Sequence, residues 1–219
     1  MRDVDKEGII RTVAGDGATP ARESAGGSST VANGTPALKA ALGPSVSIAF
    51  SPGGQLYLAT ENELFRLTAA GRLAAVKAVV RSGPGEHGPL NAFGEIAVDS
   101  RGDTYASSLY AGCPLYMVAP DGTATYLGYA RRSGGNTAVL ASAPGGVIYA
   151  ASAGSTLRLR GTHVSTAYTF NDVPGSEWFA ITYFAVARDG TIYAYDSSSS
   201  AFERYQQLLA LANGHLQVL

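Results

Sequence analysis

The chain has 219 residues, of which 46% are hydrophobic and 15% are charged, and it contains 27 glycines and 12 tyrosines. This composition favours β-strands and tight turns over long surface helices, and the length fits one all-β domain. The net charge is −1 and the 16 basic residues are scattered, which excludes the basic surface that nucleic-acid binding needs. No apolar run reaches the roughly 20 residues of a membrane helix, and the single Cys113 excludes an intrachain disulfide.

The first 43 residues divide into a short hairpin and a linker. A charged stretch follows Met1 directly, so we expect no signal peptide in this sequence. Residues 1–15 predict two short strands around Gly8, and residues 16–43, rich in glycine, serine and alanine, predict a linker. Residues 15–17 begin like a dinucleotide-binding fingerprint, but Pro20 replaces its third glycine and no helical pattern follows, so this segment is interpreted as a loop.

Four repeats follow, at residues 44–80, 90–130, 136–170 and 177–219. In each, an apolar strand leads through a glycine turn to a strand that carries a tyrosine. The turn glycines are separated by 48, 44 and 44 residues, and the tyrosines keep the same steps; the residues are Gly54, Gly102, Gly146 and Gly190 with Tyr57, Tyr105, Tyr149 and Tyr193. Tight hairpin turns need a positive φ, which glycine adopts without a side-chain clash.

Each repeat has a weaker second half, with a third strand, another glycine turn and a fourth strand. It is seen in residues 64–73, 115–124 and 157–161, and residues 4–13 supply this half alone. Four strands in about 44 residues predict the blades of an all-β propeller, because a blade needs neighbours to cover both of its faces. Residues 201–212 carry a helix-capping pattern at Ser200 and Glu203, but the repeat predicts a third strand, and we follow the repeat.

Two stretches resemble the NHL-repeat propellers. Residues 4–17 look like the hairpin that ends a blade of that family, and residues 33–44 look like the linker that opens the next blade. The resemblance implies a β-propeller of the NHL or six-bladed TolB-like type, with about four and a half blades in this chain. The family often has an aspartate three residues after the strand tyrosine, where this chain has Thr60, Ser108 and Ser152, and only Asp196 at the end. The match is therefore to a divergent member.

The histidine, carboxylate and amide side chains that could serve in catalysis or metal binding are not predicted to meet at one site. His163 and His215 follow turns between third and fourth strands, whereas His87 lies in a loop between blades, on the opposite face of a propeller, so no three-histidine zinc site is expected. Asn91, Glu95 and Asp99 could serve a metal near the central channel, but all three belong to one blade. We predict no catalytic residues, no metal and no cofactor.

The loops between blades and those between second and third strands share one face, which we call the loop face. Propellers commonly bind ligands through such loops, because they vary freely on a rigid support. The candidate binding residues on this face are Glu61, Asn62, His87, Tyr110, Arg131, Arg132, Glu177 and Trp178. Trp178 and Tyr110 are the predicted anchors, since large aromatic side chains contribute much contact area at low entropic cost.

The first functional hypothesis is a non-catalytic scaffold that binds a protein, peptide or glycan partner through the loop face. One alternative is a propeller hydrolase, lactonase or lyase with a metal near the central channel. Another is a sensor or adhesion portion of a larger envelope protein, and the resemblance allows a secreted or envelope location. Neither nucleic-acid binding nor membrane insertion is expected.

The repeat count predicts an incomplete ring, because about four and a half blades are fewer than the six usual in the resembling family. Open blade edges at residues 4–14 and on the last blade would then favour self-association. The alternative is that residues 4–14 close the ring against the strands around Phe184 and Tyr193, which would leave residues 201–219 outside as a helix.

Overall fold

The computed structural model describes residues 1–18, 31–42, 46–60, 62–82, 88–90, 93–109, 113–130, 138–152, 155–169, 181–196, 206–212 and 215–219. These residues form an all-β structure with two single-turn 3₁₀ helices, Ala37–Lys39 and Pro144–Gly146. Within these ranges there is no helix long and apolar enough to cross a membrane.

In the described ranges, twenty strands make up one hairpin and four larger sheets. The hairpin and the first sheet contain β1 Arg2–Val4, β2 Ile10–Thr12, β3 Val46–Phe50, β4 Leu56–Thr60, β5 Leu64–Leu67 and β6 Leu73–Val76. The second sheet contains β7 Val79–Ser82, β8 Gly88–Pro89, β9 Phe93–Val98, β10 Thr104–Ser108, β11 Pro114–Val118 and β12 Thr123–Tyr129. The third and fourth sheets contain β13 Val139–Ser142, β14 Ile148–Ser152, β15 Ser155–Arg160, β16 His163–Thr169, β17 Ile181–Val186, β18 Ile192–Asp196, β19 Gln207–Ala212 and β20 His215–Val218.

Each larger sheet contains four successive antiparallel strands, as a propeller blade requires. The turn glycines that join the first two strands have φ values of 79°, 84°, 76° and 89°, in chain order. The predicted positive φ at the repeat glycines is therefore confirmed. The innermost strands β3, β9, β13 and β17 contact one another in that order, so the blades follow one another around an axis.

The second blade carries two extra strands that the repeat pattern did not predict. Strand β7 pairs in parallel with β12, with Val79 opposite Thr123 and Val80 opposite Ala124, and β8 then pairs with β7. These strands come from the segment that connects the first two blades. The longer step of 48 residues between Gly54 and Gly102 accommodates them.

Apolar clusters between neighbouring blades form the core. Tyr57 and Ala59 of the first blade pack with Ile96 and Val98 of the second. Further clusters join the second blade to the third and the third to the fourth, the latter around Leu209. Strand side chains alternate between the two faces, so each blade contributes one face to each neighbouring interface.

The N-terminal segment packs against the other face of the first blade. The amino group of Met1 donates a hydrogen bond to the Ala14 carbonyl oxygen at 2.6 Å, and the Gly15 N–H donates one to the Ala37 oxygen at 2.8 Å. Ala37 and Ala40 are buried with Leu58 and Phe65 in one cluster. Residues 31–42 of the expected linker therefore form part of the core beside the first blade.

The hypothesis of closure through a C-terminal helix is wrong. Residues 207–212 form the strand β19 rather than a helix, and Leu209 is buried between the third and fourth blades. Residues 2–4 and 10–12 form a two-stranded sheet of their own beside the first blade. The packing energy of Leu209 outweighs the local capping signal at Ser200 and Glu203, because burial of a leucine side chain is worth about 2 kcal/mol.

Candidate functional site

The turn between β4 and β5 is a described part of the loop face. The Thr60 N–H donates a hydrogen bond to the backbone carbonyl oxygen of Glu63 at 2.8 Å, and the Glu63 N–H donates one to Thr60 Oγ1 at 3.1 Å. The predicted binding residue Asn62 is half-buried in this turn. The other predicted binding residues lie outside the described ranges; they are Glu61, His87, Tyr110, Arg131, Arg132, Glu177 and Trp178.

Glu63 joins this turn to the N-terminal linker. Its carboxylate oxygen Oε2 accepts a hydrogen bond from the backbone N–H of Val31 at 2.7 Å. Burial raises the pKa of the Glu63 carboxyl above its ordinary value, and the hydrogen bond from Val31 opposes this rise. The contact connects residue 31 to the first blade directly beside the turn between β4 and β5.

A row of three tyrosines runs along the outer half of the second blade. The ring centroids of Tyr116 and Tyr126 are 5.8 Å apart and those of Tyr126 and Tyr129 are 5.5 Å apart, both in edge-to-face geometry. Tyr116 is buried, whereas Tyr129 is 53% exposed at the loop-face end of β12. Burial, together with a hydrogen bond to Tyr129, raises the pKa of Tyr126 to about 12.

Tyr126 and Tyr129 are not among the site residues predicted from sequence. Their position just before the predicted binding residues Arg131 and Arg132 was the available signal. The tyrosine row places a partly exposed aromatic ring at the loop face, where its phenol group and its ring edge can contact a ligand.

Glu95 and Ser47 form a polar contact between the innermost strands of the first two blades. The Ser47 hydroxyl lies 3.1 Å from Glu95 Oε2, to which it can donate, and it accepts a hydrogen bond from the Ile96 N–H at 3.1 Å. Ser107 accepts a hydrogen bond from the Glu95 N–H at 3.0 Å. The Glu95 carboxylate is half-buried and lies near the propeller axis.

Asp99 belongs to the opposite end of the same strand and is part of the turn between β9 and β10. Its buried carboxylate accepts hydrogen bonds from the N–H groups of Arg101 and Asp103, at 2.8 and 3.0 Å. The Arg101 guanidinium lies 3.1 Å from the Asp99 carboxylate and 2.8 Å from that of Asp103. Glu95 and Asp99 are four positions apart, which corresponds to about 13 Å of extended strand, so these two carboxylates do not share one ion.

Two of the three histidines lie within the described ranges. His163 and His215 are exposed at the starts of β16 and β20, on the face opposite the loop face, and His87 lies outside the described ranges, as does Asn91. Within the described ranges no group of three histidine, cysteine, aspartate or glutamate residues could hold a metal ion.

No protein-family model and no curated protein sequence matches the chain. Among solved structures, it is similar to a catalytically inactive virginiamycin B lyase from Staphylococcus aureus, with 13% identity and a TM-score of 0.56. It is also similar to the extracellular domain of a one-component system from B. thetaiotaomicron, with 14% identity and a TM-score of 0.55.

The two alignments cover 99% and 85% of this chain. The chain spans 61% of the length of the lyase and 28% of the length of the extracellular domain. At this level of identity, the likeness concerns the fold. Together with the four antiparallel blades, it shows that the chain has the fold of a partial β-propeller.

Proposed function

We propose that this chain is a non-catalytic propeller module of the NHL type that binds a protein, peptide or glycan partner through its loop face. The observation that carries the proposal is the exposed ring of Tyr129, which packs edge-to-face on the partly buried Tyr126, and Tyr126 in turn contacts the buried Tyr116. A partly exposed aromatic ring on a rigid base loses little entropy when it binds a ligand. Arg131 and Arg132 follow directly in the sequence and add hydrogen-bond donors for polar groups of a partner.

The role of Asp99 supports the non-catalytic proposal. Its carboxylate is engaged by Arg101 and by two backbone N–H groups, so it serves the turn on the face opposite the loop face. A sensing use agrees with such binding, because one of the fold neighbours is the extracellular domain of a one-component system.

Binding of the labelled chain to peptide and glycan arrays tests this proposal. A triple variant with Tyr129→Ala, Arg131→Ala and Trp178→Ala is expected to lose the signals of the native chain. The His163→Ala variant, which changes an exposed side chain on the opposite face, is the matched control and should keep them. Array signals that survive in the triple variant would contradict the loop-face proposal.

The rival function is a propeller hydrolase, lactonase or lyase, and Glu95 is the observation that favours it. This half-buried carboxylate lies near the propeller axis in contact with Ser47, and a fold neighbour is a lyase. Metal analysis of the purified chain and a screen of lactones and esters separate the two functions. Turnover that is abolished by Glu95→Gln and retained in Tyr129→Ala would replace the binding proposal with the enzymatic one.

A further inference from the structure

The innermost strand of the first blade has an exposed apolar face. Ile48 and Phe50 are 46% and 60% exposed, although they lie in the middle and at the end of a paired strand. Ala49, between them, packs into the cluster that joins the first and second blades. Because side chains alternate along a strand, Ile48 and Phe50 share the opposite face, which lies toward the N-terminal hairpin.

The second blade shows what normally covers these positions. Ile96 and Val98 come 48 residues after Ile48 and Phe50 in the repeat, and they are only 3% and 0% exposed. They are covered by the preceding blade, in one cluster with Tyr57. Within this chain, the same face of the same strand is therefore an interface between blades.

A groove of about 530 Å³ lies between the hairpin and the first blade. Met1, Arg2 and Val13 line one side of it, and Ile48 and Phe50 line the other. In the repeat alignment, β1 and β2 correspond to the third and fourth strands of a blade. The groove consequently lies where the first two strands of that blade would be, and in the described part of the chain β1 pairs with β2 alone.

We propose that this groove binds an antiparallel pair of β-strands with alternating apolar side chains. The pair adds to the open edge of β1 and covers Ile48 and Phe50, as the inner half of a blade. Backbone hydrogen bonds to an open strand edge supply affinity, and the apolar side chains supply the register. A second folded copy of the chain does not fit this role, because each inner strand pair of its described blades already continues into its own outer pair.

A fluorescein-labelled peptide with the sequence of residues 93–108, which forms β9 and β10 in the chain, is the probe. We expect saturable binding to the full chain in fluorescence anisotropy, and slower hydrogen exchange of the β1 amides. In the second blade Tyr105 occupies the position of Tyr57, which covers Ile96 in the first interface. A Tyr105→Asp peptide is therefore expected to bind at least about tenfold more weakly.

Two variants of the chain make the test specific. The double variant Ile48→Asp and Phe50→Asp is expected to weaken peptide binding by at least about tenfold. Leu38→Asp changes a side chain that is 56% exposed outside the groove and should bind like the native chain. Near-UV circular dichroism and thermal unfolding establish that both variants are folded.

Three results would overturn the proposal. They are the lack of saturable binding, equal binding by the double variant, and unchanged exchange of the β1 amides. Light scattering adds a fourth. If the native chain forms a concentration-dependent dimer and the double variant remains monomeric, the groove is assigned to a second copy.

Discussion

The backbone of Gly122 lies so close to the carbonyl group of Lys77 that a β-carbon at residue 122 would overlap the carbonyl oxygen. This contact lies where the connecting segment joins the second blade, and the Val79 N–H donates a hydrogen bond to the Gly122 oxygen at 2.8 Å. Gly122 also has a φ of 87°. The extra strands β7 and β8 therefore depend on a glycine at this position.

Gly122→Ala is expected to lower the free energy of unfolding by about 2–4 kcal/mol, because it adds backbone strain to a steric overlap. Urea unfolding followed by circular dichroism measures the change. Gly54→Ala is the matched control: Gly54 has a φ of 79° but nothing within 4 Å of an added β-carbon. It should cost only about 1 kcal/mol, and an equal loss in both variants would contradict the role of Lys77.

Thr156→Val is expected to stabilise the chain by about 1–2 kcal/mol. Thr156 is 0% exposed, and its hydroxyl oxygen has no hydrogen-bond partner among the described residues. The corresponding positions of the first two blades carry Leu64 and Leu115. Valine has nearly the shape of threonine but needs no partner. Denaturant unfolding measures the sign of the change in the free energy of unfolding. The control Thr156→Ser keeps the hydroxyl and should not stabilise the chain. A destabilised valine variant would instead indicate a water bound to the Thr156 hydroxyl.

Leu208→Ala is expected to lower the free energy of unfolding by less than about 1 kcal/mol, whereas Leu115→Ala should lower it by about 2–5 kcal/mol. The two leucines occupy the same position of their blades, but Leu208 is 43% exposed and Leu115 only 2%. The difference arises because the third blade covers Leu115, while the equivalent face of the fourth blade is exposed. Comparing thermal and urea unfolding of both variants tests this, and a similar loss at Leu208 would mean that its face is covered in solution.

The free energy of unfolding of the Glu63→Gln variant is expected to rise relative to that of the native chain as the pH rises from about 4 to 7. Burial raises the pKa of the Glu63 carboxyl, so the folded state holds this proton more tightly than the unfolded state. The resulting stabilisation is complete below the unfolded pKa of about 4.3 and is lost as the pH rises through the folded pKa. Glutamine does not titrate and still accepts the hydrogen bond from Val31.

Urea unfolding of both proteins at several pH values across this range measures the effect of Glu63. The difference in unfolding free energy between the variant and the native chain should grow with pH in favour of glutamine. A difference that stays constant, or that changes in the opposite direction, would show that the carboxyl is not destabilised by burial. Glu63→Ala, which removes the acceptor of the Val31 hydrogen bond, should destabilise the chain throughout the range.

The repeat itself could be predicted from sequence because it is encoded locally. A glycine such as Gly102 specifies a turn with positive φ, and Tyr105, three residues later, specifies a packed strand, so equal spacing indicates equal units. A third strand within residues 201–212 is predicted on the same basis, against the local helical signal, and β19 lies within that range. Much less of the candidate site could be predicted, because most of its residues were chosen from their place in loops. Of the predicted binding residues, Asn62 falls in the described part of the chain.

The sequence by itself determined the period, the turn conformations and the all-β class, since these depend on residues only a few positions apart. Tertiary structure alone decided that Gly122 contacts Lys77, that Tyr126 contacts both Tyr116 and Tyr129, and that Ile48 is exposed where Ile96 is buried. Ile48 and Ile96 are the same residue at the same repeat position, so nothing local distinguishes them. Their different exposure follows from the neighbouring sheet, because burial depends on which segments pack against a strand face and not on the strand's own sequence.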